Sequence, residues 1–230
     1  MVSSRIASIA DMTIKGETAA DIGTDHAGLA LYMVAEGITP KMIISDLPAG
    51  PFNRACLAVA ASSFSDKIEV RQGNGLQVLA PGEVVNVIIA GMGGDTIVDI
   101  LQYDFNKSSS FQHYVLQPMT KPKVIRRFLA ARGWPIIKEE LVKEKDRLFV
   151  IISASPGEKP YSLTPLEMDI GPFIIKNQKQ PVVKDYLLNH LKKYQAITAG
   201  LEQTDNCESE LLKAQYEVKI ARLGEILNGC

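Results

Sequence analysis

The segment Ala20-Asp21-Ile22-Gly23-Thr24-Asp25-His26 sets two carboxylates and an imidazole around one glycine, at the end of a short strand-like run. A glycine closing a buried strand lets the chain turn sharply and lets a ligand approach the backbone. The pyrophosphate fingerprint GxGxxG is missing, because Asp25 stands where its second glycine would be. Acids there repel a diphosphate and suit a ligand that carries an ammonium group and a sulfonium. Asp-x-Gly after a strand is also a common structural turn, so this turn alone does not decide the chemistry.

Three more clusters follow at strand-like intervals. Asp46 comes 23 positions after Gly23, close to the ~20 residues at which an acid accepts hydrogen bonds from a nucleoside ribose. Because Leu47-Pro48 follows it, a helix N-cap is the competing reading. Asn74-Gly75 sits where a strand tip reaches an adenine edge, although Asn-Gly is also a strong turn dipeptide. Ala90-Gly91-Met92-Gly93-Gly94 clears side chains from the carboxyl edge of a sheet, which lets a flat base come close; a flexible loop is the plainer alternative. Finally, 119–134 reads MTKPKVIRRFLAARGW, with Lys121, Lys123, Arg126, Arg127 and Arg132 and no acid. Such a cluster contacts phosphates without reading sequence, or it is a helix that covers the sheet with solvated arginines. Lys192 and Lys193 would extend a phosphate-binding surface.

These residues need a scaffold, and the hydropathy pattern supplies one. Strands are expected at 18–22, 42–47, 68–72, 84–90 and 114–117, with helices at 26–36, 52–64, 96–103 and 123–132 between them. This alternation implies a parallel sheet with right-handed crossovers. The apolar runs IIS and VIIA fit strands covered on both faces. After Gly133 the rhythm changes: 135–142 and 147–154 read as two strands joined by the charged turn KEKD, an antiparallel hairpin that closes a seven-stranded sheet. SPGEKP ends this domain, giving boundaries of 1–158 and 159–230. In the second part Val183, Leu187, Leu191, Tyr194 and Leu201, then Leu212, Tyr216, Ile220, Leu223 and Leu227, recur at helical spacing, with Asp205 and Asn206 as a cap between them. A helical hairpin is expected.

Composition excludes several classes. Hydrophobic residues are 46% and charged residues 22% of 230, ordinary for a globular chain. Cys56, Cys207 and Cys230 form no CxxC pair, so neither a disulfide framework nor a zinc site is supported and no metal is expected. The opening MVSSRIASIADMTIKGE lacks a signal-type apolar run, and no stretch is apolar enough to span a bilayer. A cytoplasmic protein is expected. The net charge of −1 hides an asymmetry: residues 1–120 carry 7 Lys/Arg and 12 Asp/Glu, and 121–230 carry 18 and 14. The basic half suits a polyanionic partner, or reflects an uneven surface.

Taken together, ADIGTDH, GPF, GNGL, IAGMGG and LQP resemble, in order and spacing along essentially the whole chain, the bacterial tRNA (adenine-22-N1)-methyltransferase family. The resemblance implies a Rossmann-like class I methyltransferase domain with a C-terminal coiled-coil-like hairpin. It also implies S-adenosylmethionine as cofactor, and tRNA as substrate methylated at N1 of adenine 22. Carried over residue by residue, Asp25 is the catalytic acid. Asp21, Gly23, His26, Asp46, Asn74, Gly75, Ala90, Gly91 and Met92 surround the cofactor. Gln117 and Pro118 face the substrate; Gly93 and Gly94 of the glycine run, and Lys121, Arg126 and Arg127 of the basic run, are the further residues expected to meet the tRNA. Asp46 stands where the family carries Glu, Asn74 where it carries Asp, and Met119 where it carries Asn. The open alternatives are methylation of another RNA or a small molecule, a non-catalytic RNA-binding relative, and a dinucleotide dehydrogenase, which the missing GxGxxG disfavours. A monomer or weak dimer is expected.

Overall fold

In the computed structural model, which describes residues 2–24, 26–202 and 206–229, the chain folds as two units, Met1–Ser162 and Leu163–Cys230. The first opens with helix α1 (Ser4–Asp11), where the Ser3 hydroxyl accepts from the Ile6 amide and so caps the first turn. Then come β1 (Ala19–Ile22), α2 (Gly28–Ala35), β2 (Met42–Asp46), α3 (Ala49–Ala60), β3 (Ile68–Gln72) and a 3-10 turn (Gly75–Val78). The unit continues with β4 (Asn86–Gly93), α4 (Gly94–Tyr103), α5 (Phe105–Ser108), β5 (His113–Thr120), α6 (Pro122–Arg132), β6 (Ile136–Glu144) and β7 (Arg147–Ala154). The strands form one sheet in the order β3-β2-β1-β4-β5-β7-β6. Strands β1 to β5 run parallel, and β7 pairs antiparallel with both β5 and β6. The expected mostly parallel seven-stranded sheet with its closing hairpin is therefore what forms.

Period-two alternation splits the strand residues between two cores. Met42, Ile44, Ile88, Val115 and Ile151 join Ile9 and Ala10 of α1, Met33 of α2 and Val59 of α3 in one buried cluster. Their neighbours Val87, Ile89, Tyr114 and Leu116 are equally buried on the other side, with Ile97 and Leu101 of α4 and Ile125 and Leu129 of α6. Each such side chain contributes about 1.5–3 kcal/mol. Trp134 anchors the second core: it stacks with Phe105 at 5.8 Å between ring centroids and lies 5.0 Å from Tyr114.

The sequence reading missed α1 and ended β4 too early. Strand β4 runs on to Gly93 through a pair of irregularities. Ala90 faces Gln117, Met92 faces Pro118, and Gly93 faces Thr120. Gly91 is thus one extra residue on β4, and Met119 one extra on β5. Gly91 takes φ +79, the left-handed conformation that such a bulge asks of a glycine.

The second unit begins with α7 (Pro165–Ile170), opened by a capping box: Thr164 Oγ1 accepts from the Glu167 amide and Glu167 accepts from the Thr164 amide. Next is α8 (Pro172–Lys176); neither short helix was expected. The helical hairpin is α9 (Pro181–Leu201) and α10 (Cys207–Asn228). Asn206 caps α10 by accepting from the Ser209 amide at 2.8 Å; Asp205 lies outside the described residues. Val183, Leu187, Tyr194 and Leu223 are buried. Lys219 is buried as well, its Nζ donating to Asp169 Oδ2 at 2.6 Å while the Tyr194 hydroxyl donates to the same oxygen at 3.0 Å. Leu212, expected inside, is 40% exposed. Among the described residues no helix is long and apolar enough to cross a membrane, and no group of three His, Cys, Asp or Glu could hold a metal.

Candidate active site

The carboxyl edge of the sheet gathers Gly23, Asp46, Gly73 and Met92 from four strand tips. Gly23 follows β1 with φ +83. The amides of Gly23 and Thr24 both donate to the Ser45 carbonyl, at 2.7 and 2.9 Å, which ties the turn to the tip of β2. The Gly73 amide donates to the Asp46 carbonyl at 3.1 Å, and Gln72 Nε2 to the Leu47 carbonyl at 3.2 Å; these bonds join β2 to β3. Met92, re-aimed by the Gly91 bulge, packs over Gly23 closely enough that a Cβ there would overlap its methyl group. One continuous rim therefore runs from β4 past β1 and β2 to β3. Ala27, just before α2, adopts φ 53, a conformation costly for a residue with a Cβ and one that clusters at ligand-binding turns.

Asp21 is buried beneath this turn. Burial pushes its carboxyl up to about 6; the Thr24 side-chain hydrogen bond opposes the rise and the nearby Asp46 carboxylate adds to it. Asp46 is half-buried, and its Oδ1 accepts from the Leu47 amide at 2.7 Å. It is not the α3 cap: that position is Pro48, which makes no side-chain capping bond. Asn74 is exposed and precedes the 3-10 turn without capping it. With Gly75 it lines a cavity of about 220 Å³ that continues along Thr96, Asp99, Ile100 and Tyr103 of α4. Gly75 takes φ +53 against Ile100. His26 is exposed and Ala90 half-buried. Asp25, the expected catalytic acid, lies outside the described residues.

This donor set fits S-adenosylmethionine better than a diphosphate. The turn supplies a buried carboxylate and a positive-φ glycine, with no lysine or arginine inside it. A cationic amino-acid end relieves the Asp21 burial, whereas a phosphate would worsen it.

The substrate side needs corrections. Gly94 is the buried first residue of α4, and a Cβ there would stand 2.5 Å from the Lys121 carbonyl oxygen. Its smallness serves helix packing. Gly91 has open space around it, and Gly93 caps α4 with ordinary contacts to Thr120 and Thr96. Gln117 is fully buried; its Oε1 accepts from Arg5 Nη1 at 3.0 Å and its Nε2 donates to the Pro118 carbonyl at 2.9 Å. Pro118 is buried too, and Met119 is exposed. Arg126 is the clearest error. It has no exposed surface, and Nε donates to Glu139 Oε1 at 2.7 Å, with that carboxylate equally enclosed. It holds α6 against β6 and cannot meet a phosphate. Arg127 is exposed. Lys121 pairs with Asp95 at 2.5 Å, both more than half exposed. Arg132 lies over the Phe105 ring at 4.5 Å.

Sequence reasoning overlooked Arg5, which reaches the edge from α1. The signal was present: Ser3 as cap, followed by Ile6, Ile9 and Ala10 at helical spacing.

A family model described as a methyltransferase domain matches residues 2–152. The chain belongs to this methyltransferase family. A Bacillus subtilis tRNA (adenine(22)-N(1))-methyltransferase is 29% identical over 216 residues, covering 92% of this chain and 90% of that one. The crystal structure of the Bacillus subtilis m1A22 tRNA methyltransferase superposes with a TM-score of 0.87 at 29% identity, over 99% of each chain. A Streptococcus pneumoniae protein crystallised with S-adenosyl-L-methionine gives 0.83 at 27% identity, over 99% of this chain and all of that one. Among methyltransferases, then, the similarity extends through both units of the chain.

Proposed function

We propose that the chain transfers a methyl group from S-adenosylmethionine to N1 of adenine 22 in tRNA. The observation that carries the reading is the acid-lined turn at the carboxyl edge, Asp21 beneath Gly23 with Asp46 beside it, in a chain similar along its length to a tRNA (adenine(22)-N(1))-methyltransferase. The sulfonium supplies an activated methyl group. Adenine N1 already has a lone pair, so the protein's main task is alignment. Asp21 and Gly23 hold the amino-acid end, Asp46 accepts from the ribose hydroxyls, and the Asn74 carbonyl oxygen accepts from the adenine amino group. His26, Gly75, Ala90, Gly91 and Met92 complete that side of the pocket. Asp25 stabilises the positive charge that methylation places on the base and accepts a proton from its amino group.

Gly93 admits the target base, and Lys121 and Arg127 contact tRNA phosphates. The chain acts in the cytoplasm as a monomer or weak dimer, with 1–158 as the methyltransferase domain and 159–230 as the helical one. The test is nucleoside mapping of tRNA incubated with purified protein and labelled cofactor. Label in 1-methyladenosine at position 22 supports the reading. Label elsewhere, or only in small molecules, overturns it. Asp25→Asn should bind cofactor normally and lose most turnover.

A further inference from the structure

The tip of β5 owes its shape to the N-terminal helix. Arg5 donates from Nη1 to Gln117 Oε1 at 3.0 Å, and its guanidinium lies over the Phe149 ring at 5.1 Å. Gln117 in turn donates to the Pro118 carbonyl at 2.9 Å and to the Met119 sulfur at 3.7 Å. The amide is therefore held at both ends, by Arg5 and by its own strand. Pro118 faces Met92 where β4 and β5 fall out of step, and Met92 covers Gly23. The helix that presents Arg5 is itself fastened: the Arg5 amide donates to Glu144 Oε2 at 3.2 Å, and Ser4 Oγ donates to the Lys143 carbonyl at 3.3 Å. Arg5 Nε is buried with no hydrogen-bond acceptor. Leaving a charged donor unmet is costly.

We propose that Arg5 is a positioning residue for methyl transfer. Through Gln117 it fixes the segment Pro118 to Thr120 against the Met92 bulge, and so sets the wall that the acceptor base meets. Among the described residues Arg5 meets Gln117, Glu144 and Phe149 and none of the cofactor turn, so its effect falls on turnover more than on cofactor affinity. The inference rests on the methyl-transfer reading, but one arm of its test is independent of activity.

The experiment compares Arg5→Met, Arg5→Lys, Gln117→Leu, the double variant Arg5→Met with Gln117→Leu, and Ile9→Val as a control that loosens the same helix from inside the core. Amide hydrogen exchange is followed at Met119, Thr120 and Lys121, together with kcat on tRNA and cofactor Kd by calorimetry. Arg5→Met should raise exchange at these amides and lower kcat about tenfold or more, with cofactor Kd within about twofold. Arg5→Lys, which keeps one donor, should recover part of both losses. The double variant should be no worse than the worse single one, because both break one link. Ile9→Val should lower Tm by about 3 °C with exchange at the three amides unchanged. Unaltered exchange or turnover in Arg5→Met, or multiplicative losses in the double variant, would overturn the proposal. If the wild-type protein methylates no tRNA, the function fails, and the exchange measurements alone decide the role of Arg5.

Discussion

Met92 lies directly over Gly23, filling the space that a side chain at position 23 would need. The two residues come from different strand tips, β4 and β1, and their contact depends on the Gly91 bulge that turns Met92 toward the β1 turn. Gly23→Ala therefore meets two obstacles. A flexible methionine can swing aside, but φ +83 cannot be relieved that way. The variant should lose about 1–2 kcal/mol of stability and bind S-adenosylmethionine at least about tenfold more weakly. Adding Met92→Ala should recover only part of the loss. Calorimetry and thermal melts on the two variants check this; full recovery would show that φ is not the constraint.

Asp21 gives a pH dependence with opposite signs for folding and for binding. Its carboxyl is raised from 3.8 to about 6 in the folded chain, so the folded state holds the proton more tightly than the unfolded one. The contribution of Asp21 to stability is then greatest below about pH 4, declines as pH rises through 6, and is level above that. The shift of about two units corresponds to something on the order of 3 kcal/mol. Asp21→Asn should be more stable than wild type at pH 7, and the advantage should vanish near pH 4. Cofactor affinity should move the other way, weakening in the wild type as pH falls through 6 because the ammonium loses its carboxylate. Kd measured from pH 5 to 7 tests this; a flat profile would remove Asp21 from the site.

Adjacent arginines on α6 should behave as different kinds of residue. Arg127→Glu should weaken tRNA binding and lower its salt slope by about one or more, without altering the melting temperature. Arg126→Ala should strand Glu139 in the core and cost about 3–5 kcal/mol, while the folded fraction keeps its tRNA affinity. Filter binding across a salt series, combined with melts, separates the two. Equal effects on tRNA binding would contradict the burial of Arg126.

In the second unit, Lys219→Met would remove the ammonium that donates to the Asp169 carboxylate, which is 13% exposed. A loss of about 2–4 kcal/mol is expected, read as faster hydrogen exchange confined to 163–230. Exchange that stayed at wild-type rates would show the pair to be dispensable.

The alternating elements of the first unit were legible because hydropathy and glycine placement agree there. Strand β3 was placed to the residue, and β7 likewise. Three features resisted for physical reasons. The GMGG run reads as a loop by composition, and only pairing with β5 makes it a bulged strand followed by a helix cap. Arg126 joins a basic run in sequence; its burial depends on Glu139, thirteen positions away on another element. Lys219 sits inside the second unit because Asp169 and two tyrosine rings await it, a tertiary fact that helical spacing alone credits to leucines. Within the candidate site, Asp21, Asp46 and Gly23 were singled out from residue type and spacing, whereas Arg5 entered through a helix whose Ser3 cap had gone unread.

The paired irregularities of β4 and β5 carry a consequence for how this edge tolerates length changes. Gly91 adds one residue to its strand and Met119 adds one to its own, so the ladder is back in step at Gly93 and Thr120. Strand side chains alternate, so an odd change in length on one partner exchanges inward and outward positions beyond it. Deleting Gly91 alone would turn Met92 away from Gly23 and shift the α4 cap. Deleting Met119 alone would displace Thr120 and Lys121. Removing both would keep Gly93 in step with Thr120 but not the bulge that turns Met92 toward Gly23, so the matched pair preserves the sheet and costs the site.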